Sequence, residues 1–320
     1  MGTLASRSFT AAAVALTIFA CGDEDESAGS GPPTDATMTA ISSTICQKYS
    51  ECTSEFVLQI AYGTADGCTA RGKQQFNLDI KANGYSVTDA NANACLAAVK
   101  SLSCADLLDN RLPDACHFKG ALADGSNCTT DSQCASGSCF VDDTATCGKC
   151  GPRAALGASC TNSNCEYGLR CNATKLCTDG SLGASCAADS DCHAFSLCRG
   201  GVCTALLEES AACVTNPGNK EPPCNILKGL FCSPASLLDP NGTCKKGTVK
   251  LVANGEKCGV LSLVPVEFGA CTNGECIEDR CQAHIADGAA CTGVDKQPKC
   301  QEPAKCRAGT CALKDPVVCK

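Results

Sequence analysis

In the N-terminal third of the chain, apolar side chains recur at steps of three and four, a spacing that places one face of an α-helix against a core. Thr34 or Asp35 is predicted to be the N-cap of the first helix. Its apolar face consists of Met38, Ile41, Ile45, Tyr49, Cys52 and Phe56. Further helices are predicted after Thr64, Thr88 and Ser103, because a hydroxyl at these positions accepts a hydrogen bond from a free backbone N–H group.

Six cysteines lie on or beside these predicted helices. They are Cys46, Cys52, Cys68, Cys95, Cys104 and Cys116. Six cysteines allow fifteen pairings into three disulfides, so the connectivity stays open. A haem or metal site is disfavoured, because the segment has no C-x-x-C-H motif and no histidine within the helices. We expect an α-helical, disulfide-clamped domain over residues 38–120, with its second helix ending at Asn83-Gly84.

After residue 120 the apolar periodicity stops, and turn-forming residues alternate with cysteines. Six phrases each open with a turn followed by a cysteine: Cys128, Cys160, Cys186, Cys213, Cys258 and Cys291. Pairs such as Gly200-Gly201 and Asn273-Gly274 favour tight turns. We therefore predict a string of about six turn-rich cystine modules with short β-hairpins over residues 121–320. The cysteines assigned to structural disulfides in its first half are Cys128, Cys134, Cys139, Cys147, Cys150, Cys160, Cys165, Cys171, Cys177, Cys186, Cys192, Cys198 and Cys203.

Energetics explain this cysteine density. Ordering a unit of about 25 residues costs on the order of 35 kcal/mol of chain entropy. A unit with one or two large apolar side chains cannot recover that by burial. Each disulfide that closes a short loop contributes roughly 3 kcal/mol, so two disulfides and contacts with neighbours make folding feasible.

Composition supports a disulfide scaffold. Cysteine supplies 33 of the 320 residues, there is no tryptophan, and the formal net charge is −8. A cysteine content near one in ten is typical of small disulfide-rich units rather than of one large core. An acidic chain repels phosphate backbones, so nucleic acid is not an expected partner.

The first twenty residues are predicted to be a signal peptide, because Phe9–Phe19 is an uncharged run too short to span a bilayer. The run ends in Ile18-Phe19-Ala20-Cys21, which resembles the bacterial lipobox. The resemblance implies that Cys21 is acylated and becomes the mature N-terminus, anchored in a lipid bilayer. The alternative is simple secretion after cleavage at Ala20.

Two further observations bear on the anchor. Acylation of Cys21 leaves 32 cysteines, an even number that can pair completely. Residues 21–37 are acidic and rich in Gly, Ser and Pro, a composition typical of a tether that forms no core. The expected location is extracytoplasmic, on an outer membrane or cell surface.

The cystine modules resemble the Dickkopf-type N-terminal cysteine-rich repeat and, more loosely, EGF-like modules. The likeness is carried by the C-x-x-D-S-x-C openings Cys128–Cys134 and Cys186–Cys192, each followed by a Gly-x-Cys ending. Surface lipoproteins of the deltaproteobacterial type share this pattern behind a helical six-cysteine region. The resemblance implies an extracellular interaction module and no enzyme.

Other candidate chemistry is weighed against structural roles. Cys147-Gly148-Lys149-Cys150 has redox or zinc spacing but is better explained by disulfides, since no second ligand pair lies nearby. Asp189-Ser190-Asp191 and Asp142-Asp143 could ligate calcium, yet a solvated turn is favoured. His117, His193 and His284 are scattered among turns and match no catalytic motif.

Two functional hypotheses follow, both without a cofactor. The first is a lipid-anchored, non-catalytic binding, adhesion or surface-scaffold protein whose partner is a surface protein or glycan. The second is a secreted disulfide-rich inhibitor or effector that acts on a protein target. An apolar loop, Leu261–Phe268, is the expected contact segment of the second.

Overall fold

A computed structural model describes residues 31–319 apart from 143–144, 146, 216–220, 237–238, 264 and 294–296. The predicted signal peptide, Cys21 and most of the predicted tether lie outside the described residues. Five helices form the N-terminal part: Asp35–Cys52 (α1), Glu55–Tyr62 (α2), Ala65–Asp79 (α3), Asp89–Lys100 (α4) and Cys104–Leu108 (α5).

Hydroxyl side chains start four of these helices, as the sequence predicts. Thr34, Thr64, Thr88 and Ser103 each accept a hydrogen bond from a backbone N–H in the first turn of α1, α3, α4 and α5. Each of these bonds satisfies one of the backbone donors that a helix start leaves without an intrahelical partner.

The first predicted helix is in fact two helices. Thr53 adopts an extended backbone, and its hydroxyl donates to the Tyr49 carbonyl at 2.7 Å, which ends α1. The Ser54 N–H then donates to the Leu227 carbonyl in the cystine array, and Phe56 belongs to α2. The prediction that the second predicted helix runs to Asn83-Gly84 was also wrong, because α3 ends at Asp79 and continues as turns.

The helical core lies between α1 and α4. It consists of Ile41, Ile45, Ala92, Cys95, Leu96, Val99 and Cys116, all at most 8% exposed. Three disulfides reinforce it: Cys46–Cys68 joins α1 to α3, Cys52–Cys104 joins α1 to α5, and Cys95–Cys116 joins α4 to the following turn. The predicted disulfide-clamped helical region is therefore confirmed.

The rest of the chain forms short strands in sheets of two or three. The strands are Asn127–Cys128 (β1), Cys139–Phe140 (β2), Gly148–Cys150 (β3), Arg170–Cys171 (β4), Cys177–Thr178 (β5), Ser196–Arg199 (β6), Val202–Ala205 (β7), Ala212–Val214 (β8), Leu230–Pro234 (β9), Asn241–Lys246 (β10), Thr248–Val252 (β11), Gly259–Leu263 (β12), Val266–Cys271 (β13), Gly274–Ile277 (β14), Arg280–Ala283 (β15), Lys305–Arg307 (β16) and Thr310–Ala312 (β17). Apart from the parallel pair β11–β13, neighbouring strands are antiparallel. Short β-hairpins are thus confirmed.

Tight turns close the hairpins. Gly200-Gly201 joins β6 to β7 with both φ angles positive, as the sequence predicts. The turn between β14 and β15 is instead Glu278-Asp279, whose φ angles are 51° and 62°. Asn273 also has a positive φ angle, but it lies between β13 and β14, which contribute to different sheets.

Six modules share one disulfide arrangement, in which the first cysteine pairs with the third and the second with the fourth. Cys147 of module 1 is not counted here, because it bonds outside the module. The pairs are Cys128–Cys139 and Cys134–Cys150 in module 1, Cys160–Cys171 and Cys165–Cys177 in module 2, Cys186–Cys198 and Cys192–Cys203 in module 3, Cys213–Cys232 and Cys224–Cys244 in module 4, Cys258–Cys276 and Cys271–Cys281 in module 5, and Cys291–Cys306 and Cys300–Cys311 in module 6. In every module the third residue of the opening turn donates its N–H to the carbonyl of the fourth cysteine at 2.7–2.9 Å.

The modules pack around the helices, an arrangement that the sequence left open. Hydrogen bonds from the helical part reach modules 1, 4, 5 and 6 through the pairs Gly84–Ala121, Ser54–Leu227, Gln59–Asn273 and Arg71–Asp287. Modules 2 and 3 contact the end of α5 through Asp109. A further disulfide, Cys147–Cys319, joins module 1 to the C-terminus and closes the array. Wrapping lets units with almost no core of their own pack against the helices.

Candidate binding surface

Within the described residues, the cysteine sulfurs offer no thiolate for redox or metal chemistry in the folded state. The sulfurs of a module converge within 4.8 Å, as at Cys128, Cys134 and Cys150, but each is in a disulfide. The C-x-x-C pair is divided, because Cys147 bonds to Cys319 while Cys150 bonds to Cys134. Zinc coordination and thiol exchange both require the thiolate, so these cysteines are structural as they stand.

The aspartates of the D-S-x-C phrases hold two parts of their own module together. Asp131 accepts a hydrogen bond from the Cys139 N–H at 2.7 Å and pairs with Arg153. Asp189 accepts from the Cys198 N–H at 2.9 Å and pairs with Arg199 at 3.0 Å. Each carboxylate therefore ties the second cysteine's turn to the third cysteine's strand.

The residue before the second cysteine also accepts hydrogen bonds from the backbone of its own module. Asp191 is 3% exposed, and its carboxylate accepts from two backbone N–H groups, those of Ala187 and Ala188. In module 1 the amide oxygen of Gln133 accepts the equivalent bonds from residues 129 and 130. The prediction of a solvated turn at 189–191 was wrong, because both carboxylates are engaged inside the module. Of the second candidate pair, Asp142–Asp143, the second member lies outside the described residues.

The three histidines hold the helices and the array together at separate places. His193 lies 3.2 Å from the Asp109 carboxylate and also contacts Arg111. His117 stacks on Tyr167 with ring centroids 3.4 Å apart. His284 lies 3.3 Å from the side-chain oxygen of Asn273 and hydrogen-bonds the backbone of Ala61 in α2.

Burial determines the charge state of these imidazoles. It lowers the pKa of His117, His193 and His284 below the usual histidine range, although a nearby carboxylate opposes the shift in each case. The side chains are therefore neutral around pH 7. With different partners for each ring, the arrangement supports packing and hydrogen bonding rather than shared proton transfer.

The segment Leu261–Phe268 is not a protruding loop, as the sequence suggested. It contributes to the antiparallel pair β12–β13, and β13 lies at the centre of a three-stranded sheet. Phe268 stacks on Phe231 of β9 with ring centroids 5.5 Å apart, so its ring joins modules 4 and 5. Val264 lies outside the described residues. Leu261–Phe268 is therefore part of a sheet and not the protruding contact loop that the sequence predicts.

Exposed aliphatic side chains occur instead at two repeat positions of modules 2 and 3. Leu156 and Leu182 occupy the opening turns and are 65% and 64% exposed. Leu176 and Val202 directly precede the fourth cysteine and are each 42% exposed. Sequence inspection missed these residues, although the paired Leu-Gly phrases at 156–157 and 182–183 are a readable signal.

The same two positions are polar in the other four modules. The opening turns of modules 1, 4, 5 and 6 carry Asp124, Glu209, Asn254 and Asp287. The residues before their fourth cysteines are Lys149, Thr243, Arg280 and Thr310. The module fold thus requires an aliphatic side chain at neither position. Exposed aliphatic side chains at both positions of two adjacent modules therefore make these residues candidates for a contact surface.

Comparison with known proteins found no family model, curated protein or solved structure that matches the chain. Among the described helices, none combines the length and apolar character that crossing a bilayer requires.

Proposed function

We propose that this chain is a lipid-anchored extracytoplasmic protein with a non-catalytic role in binding, adhesion or surface scaffolding. The observation that carries the proposal is the cysteine inventory. Sixteen disulfides use every cysteine from Cys46 to Cys319, and the one cysteine outside them is Cys21. That residue is the one that the lipobox-like sequence would acylate.

The disulfides themselves support an oxidising compartment. Structural disulfides persist outside the reducing cytosol, where thiol pools would open them. Modules 2 and 3 have no large core, and their buried residues are largely their cysteines. Folding in a reducing compartment would remove the cross-links on which these modules depend.

The entry of the chain into the folded body supports a tethered arrangement. The Gly31 carbonyl accepts a hydrogen bond from the Asp89 N–H at 2.9 Å, and the Thr34 N–H donates to the Asp89 carboxylate. Nine residues, 22–30, separate Cys21 from this first fixed point. An anchored protein would therefore stand close to the bilayer, on the side where α1 begins.

A non-catalytic role is supported by where the reactive side chains lie. The aspartates of the turns bracket their modules, the histidines join the helices to the array, and the cysteine sulfurs are in disulfides. The common pairing of the six modules further supports their proposed identity as copies of one repeat of the Dickkopf or EGF-like type.

Intact-mass measurement of the native mature protein tests the proposal. We expect a lipid-sized increment on Cys21, and a gain of about 32 Da on full reduction, at two hydrogens for each disulfide. A Cys21→Ser variant is the control, and it should lose the increment while keeping the gain. A wild-type mass without lipid would contradict the anchor and favour the secreted inhibitor or effector.

A further inference from the structure

We propose that the exposed aliphatic side chains of modules 2 and 3 form a surface through which two copies of this chain associate. This aliphatic surface consists of Leu156, Leu176, Leu182 and Val202. The proposal rests on the proposed binding role, for which it names the surface and the partner.

The four side chains belong to one local arrangement that is repeated once. Leu156 and Leu176 each lie one residue from an end of the 2.8 Å hydrogen bond between the Gly157 N–H and the Cys177 carbonyl. Module 3 repeats this arrangement with a bond of 2.9 Å. Leu182 follows Leu176 by only six residues, which links the two pairs along the chain. Adjacent modules thus present equivalent apolar side chains at a fixed repeat.

The apolar area suits a weak, specific contact. Four aliphatic side chains at 42–65% exposure, one pair on each module, present together on the order of 300 Å² of apolar surface, which is near the lower end of the range for functional patches on soluble monomers. A stable dimer buries about 800 Å² on each partner, so these side chains would form the centre of an interface with a polar rim. We therefore expect an association that is reversible at micromolar or higher concentration.

Charge favours this segment as the place where two copies meet. The whole chain has a formal net charge of −8, which opposes the approach of identical molecules. Residues 151–207 carry four basic and four acidic side chains and are therefore neutral overall. Three of the basic side chains already form ion pairs within the molecule: Arg153–Asp131, Arg170–Asp109 and Arg199–Asp189.

The position of modules 2 and 3 in the fold indicates that they face a copy anchored on an opposite surface rather than a neighbour in the same bilayer. Arg170 of module 2 pairs with Asp109 at 2.7 Å, and module 3 contacts the same carboxylate. Asp109 follows α5, whose Cys104 is bonded to Cys52 at the C-terminal end of α1. The chain enters at Gly31, at the opposite end of a helix about 27 Å long. A molecule anchored at its N-terminus would therefore hold these modules away from its own bilayer, towards a copy on a facing surface.

Sedimentation of the full chain with Cys21→Ser tests self-association without a lipid anchor. We expect a reversible dimer to appear between about 10 µM and about 1 mM. The test variant carries Leu156→Asn, Leu182→Asn, Leu176→Thr and Val202→Thr in that background. These replacements are the residues that modules 4, 5 and 6 use at the same positions, so the module fold should tolerate them. The variant should weaken dimerisation at least tenfold.

The control variant carries Leu251→Thr and Val260→Thr, which alter aliphatic side chains that are 42% and 52% exposed elsewhere in the array. It should dimerise as the parent does. A second test variant with only Leu156→Asn and Leu182→Asn should show an intermediate loss if the fourfold variant folds poorly.

Three results would overturn the proposal: a parent that stays monomeric up to about 1 mM, a fourfold variant that dimerises as well as the parent, or a control that loses dimerisation equally. A monomeric parent that binds another protein through these residues would also overturn it in favour of a different partner. Because the assay uses the unacylated chain, its failure leaves the anchor proposal standing. Absence of lipid in the mass measurement would likewise leave this result unaffected.

Discussion

The disulfide Cys147–Cys319 is the clearest place to perturb the architecture, because it alone closes the cystine array around the helices. Replacing both cysteines by serine removes this closure and leaves every module with its own two disulfides. It also leaves the hydrogen bond from the Arg307 guanidinium to the Ala145 carbonyl at 3.1 Å, which holds module 6 beside module 1. The folded state should therefore survive the change.

The expected loss follows from the length of the loop. The two cysteines are 172 residues apart in sequence, and the other disulfides shorten the covalent route between them to about 100 residues. Closing a loop of that length restricts the unfolded chain by about 4.7 kcal/mol, and measured losses of native disulfides fall at about 2–5 kcal/mol. We expect the double serine variant to lose about 3–5 kcal/mol of unfolding free energy.

Urea unfolding without reductant measures this loss. The chain has no tryptophan, so the far-UV circular dichroism of the five helices reports the transition. A matched control replaces Cys300 and Cys311, which are 11 residues apart in module 6. Its effect should be concentrated in hydrogen exchange within module 6, while the closure variant should lower the midpoint of the helical transition.

A closure variant whose midpoint and slope equal those of the wild type would refute the reasoning. It would mean that the noncovalent contacts of module 6 already restrict the ends of the array in the denatured ensemble. A destabilisation below about 1 kcal/mol would have the same meaning, because it falls outside the range for a loop of this length.

Three further changes probe the helices and the modules. Burial raises the pKa of Asp79 to about 7, so the folded state keeps a proton that the unfolded chain loses, and the unfolding free energy should fall as pH rises from about 4 to about 7. Asp79→Asn should remove this decrease, which is at most about 4 kcal/mol. Thermal unfolding across that pH range measures it, and a variant with the same pH profile as the wild type would contradict the prediction. Asp191→Ala removes a buried carboxylate that accepts from two backbone N–H groups and should cost about 1–3 kcal/mol, seen as faster hydrogen exchange in module 3. Unchanged exchange in module 3 would contradict this structural role of Asp191. Gly148→Ala would place a Cβ in direct collision with the Phe140 carbonyl oxygen and should prevent correct disulfide formation in module 1. Gly151→Ala, whose Cβ would have nothing within 4 Å, should fold normally, and equal yields of oxidised protein from the two variants would contradict the steric reasoning.

Local features of the fold were predictable from the sequence. Thr34, Thr64, Thr88 and Ser103 start helices because a hydroxyl satisfies the first free N–H groups, an effect that acts within a few residues. The Gly200-Gly201 turn is equally local, because both positions need positive φ angles. Disulfide-rich hairpin modules followed from turn chemistry and from the shortage of core-forming side chains.

Features that depend on long-range contact were not predictable. The end of α1 at Thr53 is accompanied by a hydrogen bond from Ser54 to Leu227, a residue far away in the sequence. The closure by Cys319 was hidden because cysteine pairing cannot be read from spacing. The candidate surface was missed because an exposed Leu156 is unusual only in comparison with the polar residues at the same position of the other modules. That comparison requires the structural repeat, which aligns the six opening turns.

The closed arrangement of disulfides also determines what a protease can release. From Cys46 to Cys116, and again from Cys128 to Cys319, every peptide bond lies inside at least one disulfide loop, the largest of which is closed by Cys147. A single cut in either stretch would leave one covalently connected molecule. Between Cys46 and Cys319, only the connection between the two stretches, residues 117–127, lies outside the loops, and it includes the exposed Lys119. Cleavage there would leave two separately cross-linked bodies, the helices and the complete array, held together only by the noncovalent contacts between them.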